Sequence, residues 1–136
     1  MLGRILTSLL PTITAKAHCD LPCGVYDPAQ ARIEAESVKA IIGKYDASDD
    51  DAFRQRCVII KEQRSELVKH HLWVLWTDYF KPEHLERYPQ LHDQFWKATK
   101  LAGAGGTKGS MDAEVAQQLL DKIEEIATIF RETKKA

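Results

Sequence analysis

Two cysteines near the start of the chain carry the clearest chemistry in the sequence. Cys19 and Cys23 are separated by three residues, Pro22 and Gly24 lie beside Cys23, and His18 directly precedes Cys19. Such a segment can close into a tight hook that presents two thiols to one metal ion. A local disulfide, two incidental thiols and a zinc site are the alternatives, although zinc usually needs a second ligand pair at a familiar spacing, which this chain lacks.

The first 17 residues, MLGRILTSLLPTITAKA, differ from the rest of the chain and predict a removable leader. They contain Arg4 and Lys16 but no acidic residue, and they end in Ala15-Lys16-Ala17, a small-x-small pattern of the kind found before a signal-peptidase cut. A frayed N-terminus or a short packed helix is the alternative interpretation.

A cut between Ala17 and His18 would change the donor set of the hook. It would place a free α-amine, an imidazole, a backbone amide and two thiols within six residues. Nitrogen and sulfur donors arranged in a plane suit Ni(II) or Cu(II), and not magnesium or calcium. Because an acylated nitrogen of His18 is a poor ligand, the leader would keep the site inactive until it is removed.

The composition excludes several classes of protein. The chain has 136 residues, 44% of them hydrophobic, so we expect one domain with a single core. Lys plus Arg (19) nearly balance Asp plus Glu (20), which argues against a nucleic-acid binder. No apolar run approaches the ~18 residues of a membrane span, and three cysteines are too few for a disulfide-built miniprotein. The composition therefore predicts a compact, soluble, intracellular protein.

The residues after the hook predict helices, and we expect an all-α fold, a four-helix bundle. No segment alternates with period two for long enough to form a strand. We expect the first helix to end at Gly43 and the second at about Asp78. The expected helix starts are Asp27-Pro28, Ser48, Pro89 and Ser110. The predicted organisation is a leader at 1–17, a metal-binding hook at 18–26 and a bundle at 27–136.

Each predicted helix carries an apolar stripe that would face the core. In the second helix Arg64 occupies a stripe position and needs either a partner or a route to solvent, whereas Cys57 is predicted to be a core residue. The glycine-rich stretch 103–109 is predicted to be a flexible connection. The stripes are Ile33, Val38, Ile41 and Ile42; Phe53, Cys57, Ile60, Arg64, Leu67, His71 and Val74; Leu91, Phe95, Ala98 and Ala102; and Val115, Leu119, Ile123, Ile126 and Phe130.

The segment HCDLPCGVYDPAQARIEAESVKA, which begins at His18, resembles the N-terminus of the mature nickel superoxide dismutases. The resemblance continues through KEQRSELVKHH, LWTDYFKPEHLERYPQLH and the closing IFRETKKA. It covers essentially the whole chain after Ala17. The resemblance implies a homohexamer of four-helix-bundle subunits, each with one nickel ion in its N-terminal hook.

The resemblance also implies the ligands and their surroundings. The ligands would be the α-amine of His18, the backbone nitrogen and thiolate of Cys19 and the thiolate of Cys23, with the His18 imidazole as axial ligand of the oxidised state. Pro22 corresponds to the hook proline, and a cis Leu21–Pro22 bond is compatible with so tight a turn. The surrounding residues implied are Glu34 and Arg64, which orient the imidazole; Tyr26, over the open face of nickel; Asp20 and Tyr79, in the local polar network; and Lys81, near the mouth.

The reaction implied is dismutation of superoxide to dioxygen and hydrogen peroxide, with nickel alternating between Ni(III) and Ni(II). A maturation protease must then cut between Ala17 and His18. We expect no nucleic-acid partner and no membrane partner, and reduced thiolates favour the cytoplasm over the periplasm or secretion. Two other functions stay open: a secreted helical binding protein with a Cys19–Cys23 disulfide, and a non-catalytic metal carrier.

Overall fold

The computed structural model describes residues 23–135, and within this range the protein is all-helical. The predicted all-α class is confirmed. Four helices are long, a short one lies between the second and third long helices, and a π-helical turn at Leu75–Tyr79 extends the second. The helices are α1 (Ala29–Asp46), α2 (Asp51–Val74), α3 (Pro82–Arg87), α4 (Leu91–Leu101) and α5 (Ala113–Lys135). None of these helices is both long and apolar enough to cross a bilayer.

Carboxylates, and not hydroxyls, accept hydrogen bonds from the first backbone N–H groups of three of the four long helices. Asp27 accepts a hydrogen bond from the backbone N–H of Ala29 at 2.8 Å, as the predicted start of α1 requires. At α2 the predicted cap, Ser48, is wrong, because Asp50 accepts from the N–H of Phe53 at 3.0 Å. A negative charge at this position also interacts favourably with the helix dipole.

Two further predicted helix boundaries are wrong for local reasons. Asp112, and not Ser110, caps α5, since its carboxylate accepts from the N–H of Glu114 at 2.8 Å. Gly43 does not end α1, which continues for three residues to Asp46. A Cβ at position 43 would meet nothing within 4 Å, so this glycine lies on an open helix surface.

The core lies between α1, α2, α4 and α5, and the stripes of α4 and α5 are placed as predicted. Leu91, Phe95, Ala98 and Ala102 are at most 4% exposed, and on α5 only Val115 of the predicted stripe is not buried. The α1 stripe needs correction, because Ile33 is 53% exposed and two alanines take its place in the core. The buried residues of α1 are Ala31, Ala35, Val38 and Ile42.

The predicted stripe of α2 is displaced from the buried one. Cys57 is buried as predicted, but Phe53 is 41% exposed and Arg64 is only half-buried. The prediction of this stripe is wrong because two polar residues, Lys61 and Ser65, face the interior, where apolar residues were expected. The buried residues of α2 and its π-helical turn are Cys57, Lys61, Ser65, Val68, Leu72, Val74 and Leu75.

These two polar residues fasten the connection between α4 and α5, which was predicted to be flexible. The Lys61 ammonium donates to the carbonyl oxygens of Lys108 and Ser110, each at 2.9 Å, and the hydroxyls of Ser65 and Thr107 lie 2.9 Å apart. Thr107 is completely buried. The connection is therefore a packed turn, because both of the buried polar residues Lys61 and Ser65 have a partner in it.

Replacing Lys61 with methionine is expected to destabilise the fold, increasingly so as the pH rises. Burial lowers the pKa of Lys61, and Glu62 only partly opposes this effect. The unfolded chain then binds more protons than the folded one just below the ordinary lysine pKa of ~10.4, so Lys61 adds stability as the pH rises through that window. We expect a loss of about 1–3 kcal/mol from the two lost hydrogen bonds at neutral pH. Urea unfolding at pH 7.5 and 9.5 would measure both effects. The prediction is contradicted if the difference in the free energy of unfolding between wild type and variant shrinks as the pH rises. Lys100→Met, on the exposed side of α4, is the control.

Replacing Cys57 with serine is expected to lower stability without affecting nickel binding. Cys57 is 5% exposed, and a hydroxyl costs more than a thiol in apolar surroundings, by about 1–3 kcal/mol. Unfolding by urea would give the stability, and metal analysis of the processed protein would give the nickel content. Loss of nickel from a variant that is still folded would contradict the assignment of Cys57 to the core.

Candidate metal centre

The part of the hook that the structure describes begins at Cys23, whose exposed thiol turns back on its own backbone. The Cys23 Sγ accepts a hydrogen bond from the N–H of Val25 at 3.4 Å and lies 3.7 Å from the Val25 carbonyl oxygen. Gly24 between them has φ +74°, a left-handed conformation that glycine adopts readily. An N–H directed at the sulfur is compatible with the thiolate, which is the form that binds metals. The thiol and its accessibility thus fit a metal ligand.

Directly after this turn, the chain enters the wall of an open cavity of about 380 Å³. The Tyr26 ring lies 5.9 Å from that of Tyr79, centroid to centroid. Lys81 lies in the same wall, so three residues of the predicted site share one cavity. The lining residues are Gly24, Tyr26, Asp78, Tyr79, Lys81, His84, Thr133 and Lys134.

Tyr79 is held in this wall from several sides. It ends the π-helical turn, which the N–H of Phe80 closes by donating to the carbonyl of Leu75 at 3.0 Å. Its ring lies 4.5 Å from that of Phe130 and is stacked on that of His84 at 5.7 Å. Its hydroxyl lies 2.7 Å from the hydroxyl of Thr133. A π-helical turn often marks a functional site, since the extra residue re-aims the side chains that follow.

The start of the short helix α3 contributes Lys81 and His84 to the wall of the cavity. Pro82 starts the short helix α3, and the N–H of Lys81 donates to the Nδ1 of His84 at 3.1 Å. The imidazole of His84 is thereby turned towards Tyr79, and Lys81 is exposed at the edge of the cavity.

Glu34 and Arg64 form an ion pair between α1 and α2. The Arg64 Nη1 donates to both carboxylate oxygens of Glu34, at 3.1 and 3.3 Å. The Glu34 side chain is 16% exposed and the Arg64 side chain 41% exposed. The partner that Arg64 was expected to need is therefore Glu34, and the guanidinium also reaches solvent. This pair does not line the cavity.

The other predicted site residues lie outside the described range. They are His18, Cys19, Asp20 and Pro22, together with the leader, the Ala17–His18 cleavage site and the Leu21–Pro22 bond. Within residues 23–135 no group of three or more His, Cys, Asp or Glu side chains is arranged to hold a metal ion. The described bundle thus offers no metal site that would compete with the hook.

Four residues of the cavity were missed as site residues: Asp78, His84, Thr133 and Lys134. Thr133 and Lys134 follow Phe130 by three and four positions, which is the spacing of one helix face. Extending the α5 stripe by one turn would have placed both beside Phe130.

Comparison with known proteins agrees over nearly the whole chain. The family model described as "Nickel-containing superoxide dismutase" matches residues 13–134. Relatives named "Superoxide dismutase [Ni]" from Streptomyces coelicolor (strain ATCC BAA-471 / A3(2) / M145) and Streptomyces seoulensis are 56% and 57% identical over 136 residues, covering 100% of both chains in each case. A solved native nickel superoxide dismutase is 59% identical to this chain, with a TM-score of 0.84. A second solved structure, with nickel ligation of the oxidised state, is 61% identical, with a TM-score of 0.83. Each match covers 88% of this chain and 100% of the solved chain. The chain belongs to the nickel-containing superoxide dismutase family.

Proposed function

We propose that this nickel superoxide dismutase builds its metal centre from residues 18–26 and presents it to the cavity formed by Tyr26, Tyr79 and Lys81. The observation that carries the proposal is that the chain runs from Cys23 straight into the wall of that cavity. A ligand at Cys23 would therefore lie next to the cavity, three residues before Tyr26, whose ring is 5.9 Å from that of Tyr79.

We propose that the α-amine of His18, the backbone nitrogen and thiolate of Cys19 and the thiolate of Cys23 would hold the nickel, joined by the His18 imidazole in the oxidised state. Thiolate and deprotonated nitrogen donors stabilise a high oxidation state, and the exposed Cys23 thiol fits this set. When bound, nickel supplies a one-electron Ni(III)/Ni(II) couple, with which two superoxide anions and two protons give one dioxygen and one hydrogen peroxide.

The residues around the ligands have three roles in this proposal. Tyr26 and Tyr79 wall the site and, with Asp20, order small molecules by hydrogen bonding. Lys81 attracts the anionic substrate from the edge of the cavity. Glu34 orients the His18 imidazole, and Arg64 holds the Glu34 carboxylate in place through their ion pair.

The proposal requires a protease to remove residues 1–17. The remaining 119 of 136 residues would be 88% of the chain, which is the share that the complete solved relatives match. The organisation is then a leader at 1–17, a hook at 18–26 and a bundle at 27–136. The need for reduced thiolates favours the cytoplasm as the site of assembly.

The homohexamer that the resemblance implies is part of the proposal, and several apolar side chains are exposed on the surface of one subunit. Trp96 and Ile59 are each 56% exposed, and Val25, within the hook, is 74% exposed. Aromatic side chains such as Trp96 are enriched at interfaces between subunits. In this proposal they are covered by neighbouring copies of the chain.

Analysis of the native protein by mass tests the proposal. We expect an intact mass that corresponds to a chain starting at His18, one nickel ion per chain, rapid superoxide consumption and a native mass six times that of one chain. An active, nickel-loaded protein that keeps residues 1–17 would contradict the ligand set. A native mass other than six chains would contradict the hexamer alone.

A further inference from the structure

The last turn of α5 forms part of the cavity, although no site residue was predicted there. Thr133 and Lys134 both line it, and both contact Tyr79. The Lys134 Nζ lies 5.1 Å from the centre of the Tyr79 ring and 5.4 Å from that of Phe130. Two aromatic rings thus hold the ammonium group by cation–π contacts at the wall of the cavity.

The hydrogen bonds of Thr133 show where the Tyr79 hydroxyl proton points. The Thr133 hydroxyl donates to the carbonyl oxygen of Phe130 at 2.7 Å, and a hydroxyl has only one proton to donate. In the 2.7 Å contact with Tyr79, Thr133 must therefore accept, and the phenol must donate. This bond ties the last turn of α5 to the π-helical turn that carries Tyr79.

The charges in the described wall of the cavity favour an anion. Lys81 and Lys134 each contribute a positive charge, whereas Asp78 contributes the one carboxylate. His84 uses its Nδ1 as an acceptor for the Lys81 N–H, so this nitrogen is unprotonated. The two lysines come from different segments, Lys81 from the residue before α3 and Lys134 from the last turn of α5, and both line the cavity that an anion would enter.

We propose that Lys134 is a second substrate-attracting charge at this entrance. We also propose that Thr133 positions Lys134, because its hydrogen bond to Tyr79 holds the last turn of α5 against the cavity. The inference rests on the proposed function, which makes this cavity the route to the metal centre. A unit charge roughly 7 Å from a monovalent anion in water changes the local anion concentration about threefold. Removing it is expected to slow capture of superoxide by about that factor.

The test compares Lys134→Gln with Lys135→Gln in the processed, nickel-loaded protein. The two substitutions remove the same charge from neighbouring positions, but Lys135 does not line the cavity. We expect kcat/KM for superoxide to fall about threefold in Lys134→Gln at low ionic strength, and to match wild type near 1 M salt, where the Debye length is about 3 Å. Lys135→Gln should stay close to wild type, and Lys134→Arg should restore the rate.

Two outcomes would overturn the inference. One is an unchanged kcat/KM in Lys134→Gln at low salt. The other is an equal loss of kcat/KM in Lys134→Gln and Lys135→Gln, which would indicate an effect of the net charge of the protein and not of a charge at the cavity. Lys81→Gln separates failure of the inference from failure of the proposed function. If neither Lys81→Gln nor Lys134→Gln slows the enzyme, the cavity is not the entrance and both proposals fail. If only Lys81→Gln slows it, the role of Lys134 alone is rejected.

Thr133→Val and Thr133→Ser test the positioning role independently of activity. Valine keeps the shape of threonine but removes the hydroxyl, whereas serine retains it. In the reduced protein we expect the Tyr79 hydroxyl proton to show an NMR contact with the side chain at position 133 in wild type and in the serine variant, and to lose it in the valine variant. Thr133→Val should also reproduce the salt-dependent loss of Lys134→Gln; normal kinetics in Thr133→Val would reject the positioning role.

Discussion

Adding one residue in front of His18 in the processed chain is expected to abolish superoxide dismutation. The extension converts the primary amine of His18 into an amide, which is a far weaker donor, while leaving every side chain of the site unchanged. Loss of a partner outside the ligand set already costs about 10–100-fold in metal affinity or activity, so loss of a ligand should cost more than 100-fold. Assay of superoxide consumption, with nickel content and intact mass measured on the same sample, checks this result.

A cleavable extension provides the control for this experiment. If a protease removes the added residue and activity returns, the loss came from the blocked amine and not from misfolding. Full activity with the added residue still present, as verified by mass, would refute the proposed ligand set. Such an outcome would leave the assignment to the family untouched, because that assignment rests on the whole chain.

Replacing Gly106 with alanine is expected to have the largest effect on stability of the substitutions proposed. A Cβ at this position would lie 2.0 Å from the carbonyl oxygen of Leu101 and 2.7 Å from its Cα. These are backbone atoms at the end of α4, where the Leu101 carbonyl also accepts from the N–H of Thr107 at 2.7 Å. Because the backbone must shift to admit the methyl group, we expect a loss of about 3 kcal/mol or more.

Gly105→Ala is the matched control, since a Cβ at the preceding position would meet nothing within 4 Å. Urea unfolding of the two variants and the wild type should show a large loss for Gly106→Ala and a change of less than about 1 kcal/mol for Gly105→Ala. Similar free energies of unfolding for the two variants would mean that the turn adapts to the extra methyl group at little cost. The connection would then be flexible, as predicted from the sequence.

The correct sequence predictions concern local, periodic features. The stripes of α4 and α5 and the cap at Asp27 depend on residues a few positions apart, where spacing alone determines which side chains share a face. The family resemblance added Glu34 as the counterpart of Arg64, and the two form an ion pair. The position of Arg64 in the apolar stripe indicated only that its charge needs a partner or a route to solvent, and did not identify the partner.

Besides the misplaced helix boundaries and the displaced α1 stripe, the main wrong predictions concern packing contacts. The interior position of Lys61 follows from carbonyl groups some fifty residues later in the chain, and no local pattern reveals them. The stretch containing Gly106 was predicted to be flexible because glycine permits many conformations, but here glycine permits a close approach of two backbones. His84 and Lys134 acquire a role only when α3 and α5 meet the π-helical turn.

Membership of the family leaves the two alternative functions without support. A secreted binding protein held by a disulfide and a passive metal carrier were both compatible with two cysteines four positions apart. The relatives that match the chain from end to end are named as nickel superoxide dismutases. The spacing of the cysteines alone does not distinguish these functions, whereas the similarity of the whole chain does.

The entrance to the site combines Gly24 and Tyr26 with Thr133 and Lys134, residues roughly 110 positions apart. The ribosome synthesises Gly24 and Tyr26 long before Thr133 and Lys134. A growing chain can therefore expose its N-terminal segment before the residues of α5 that complete the cavity wall exist. Completion of the entrance therefore waits for the release of α5. The same geometry bears on protein production, because an affinity tag fused after α5 would follow residues that line the proposed entrance.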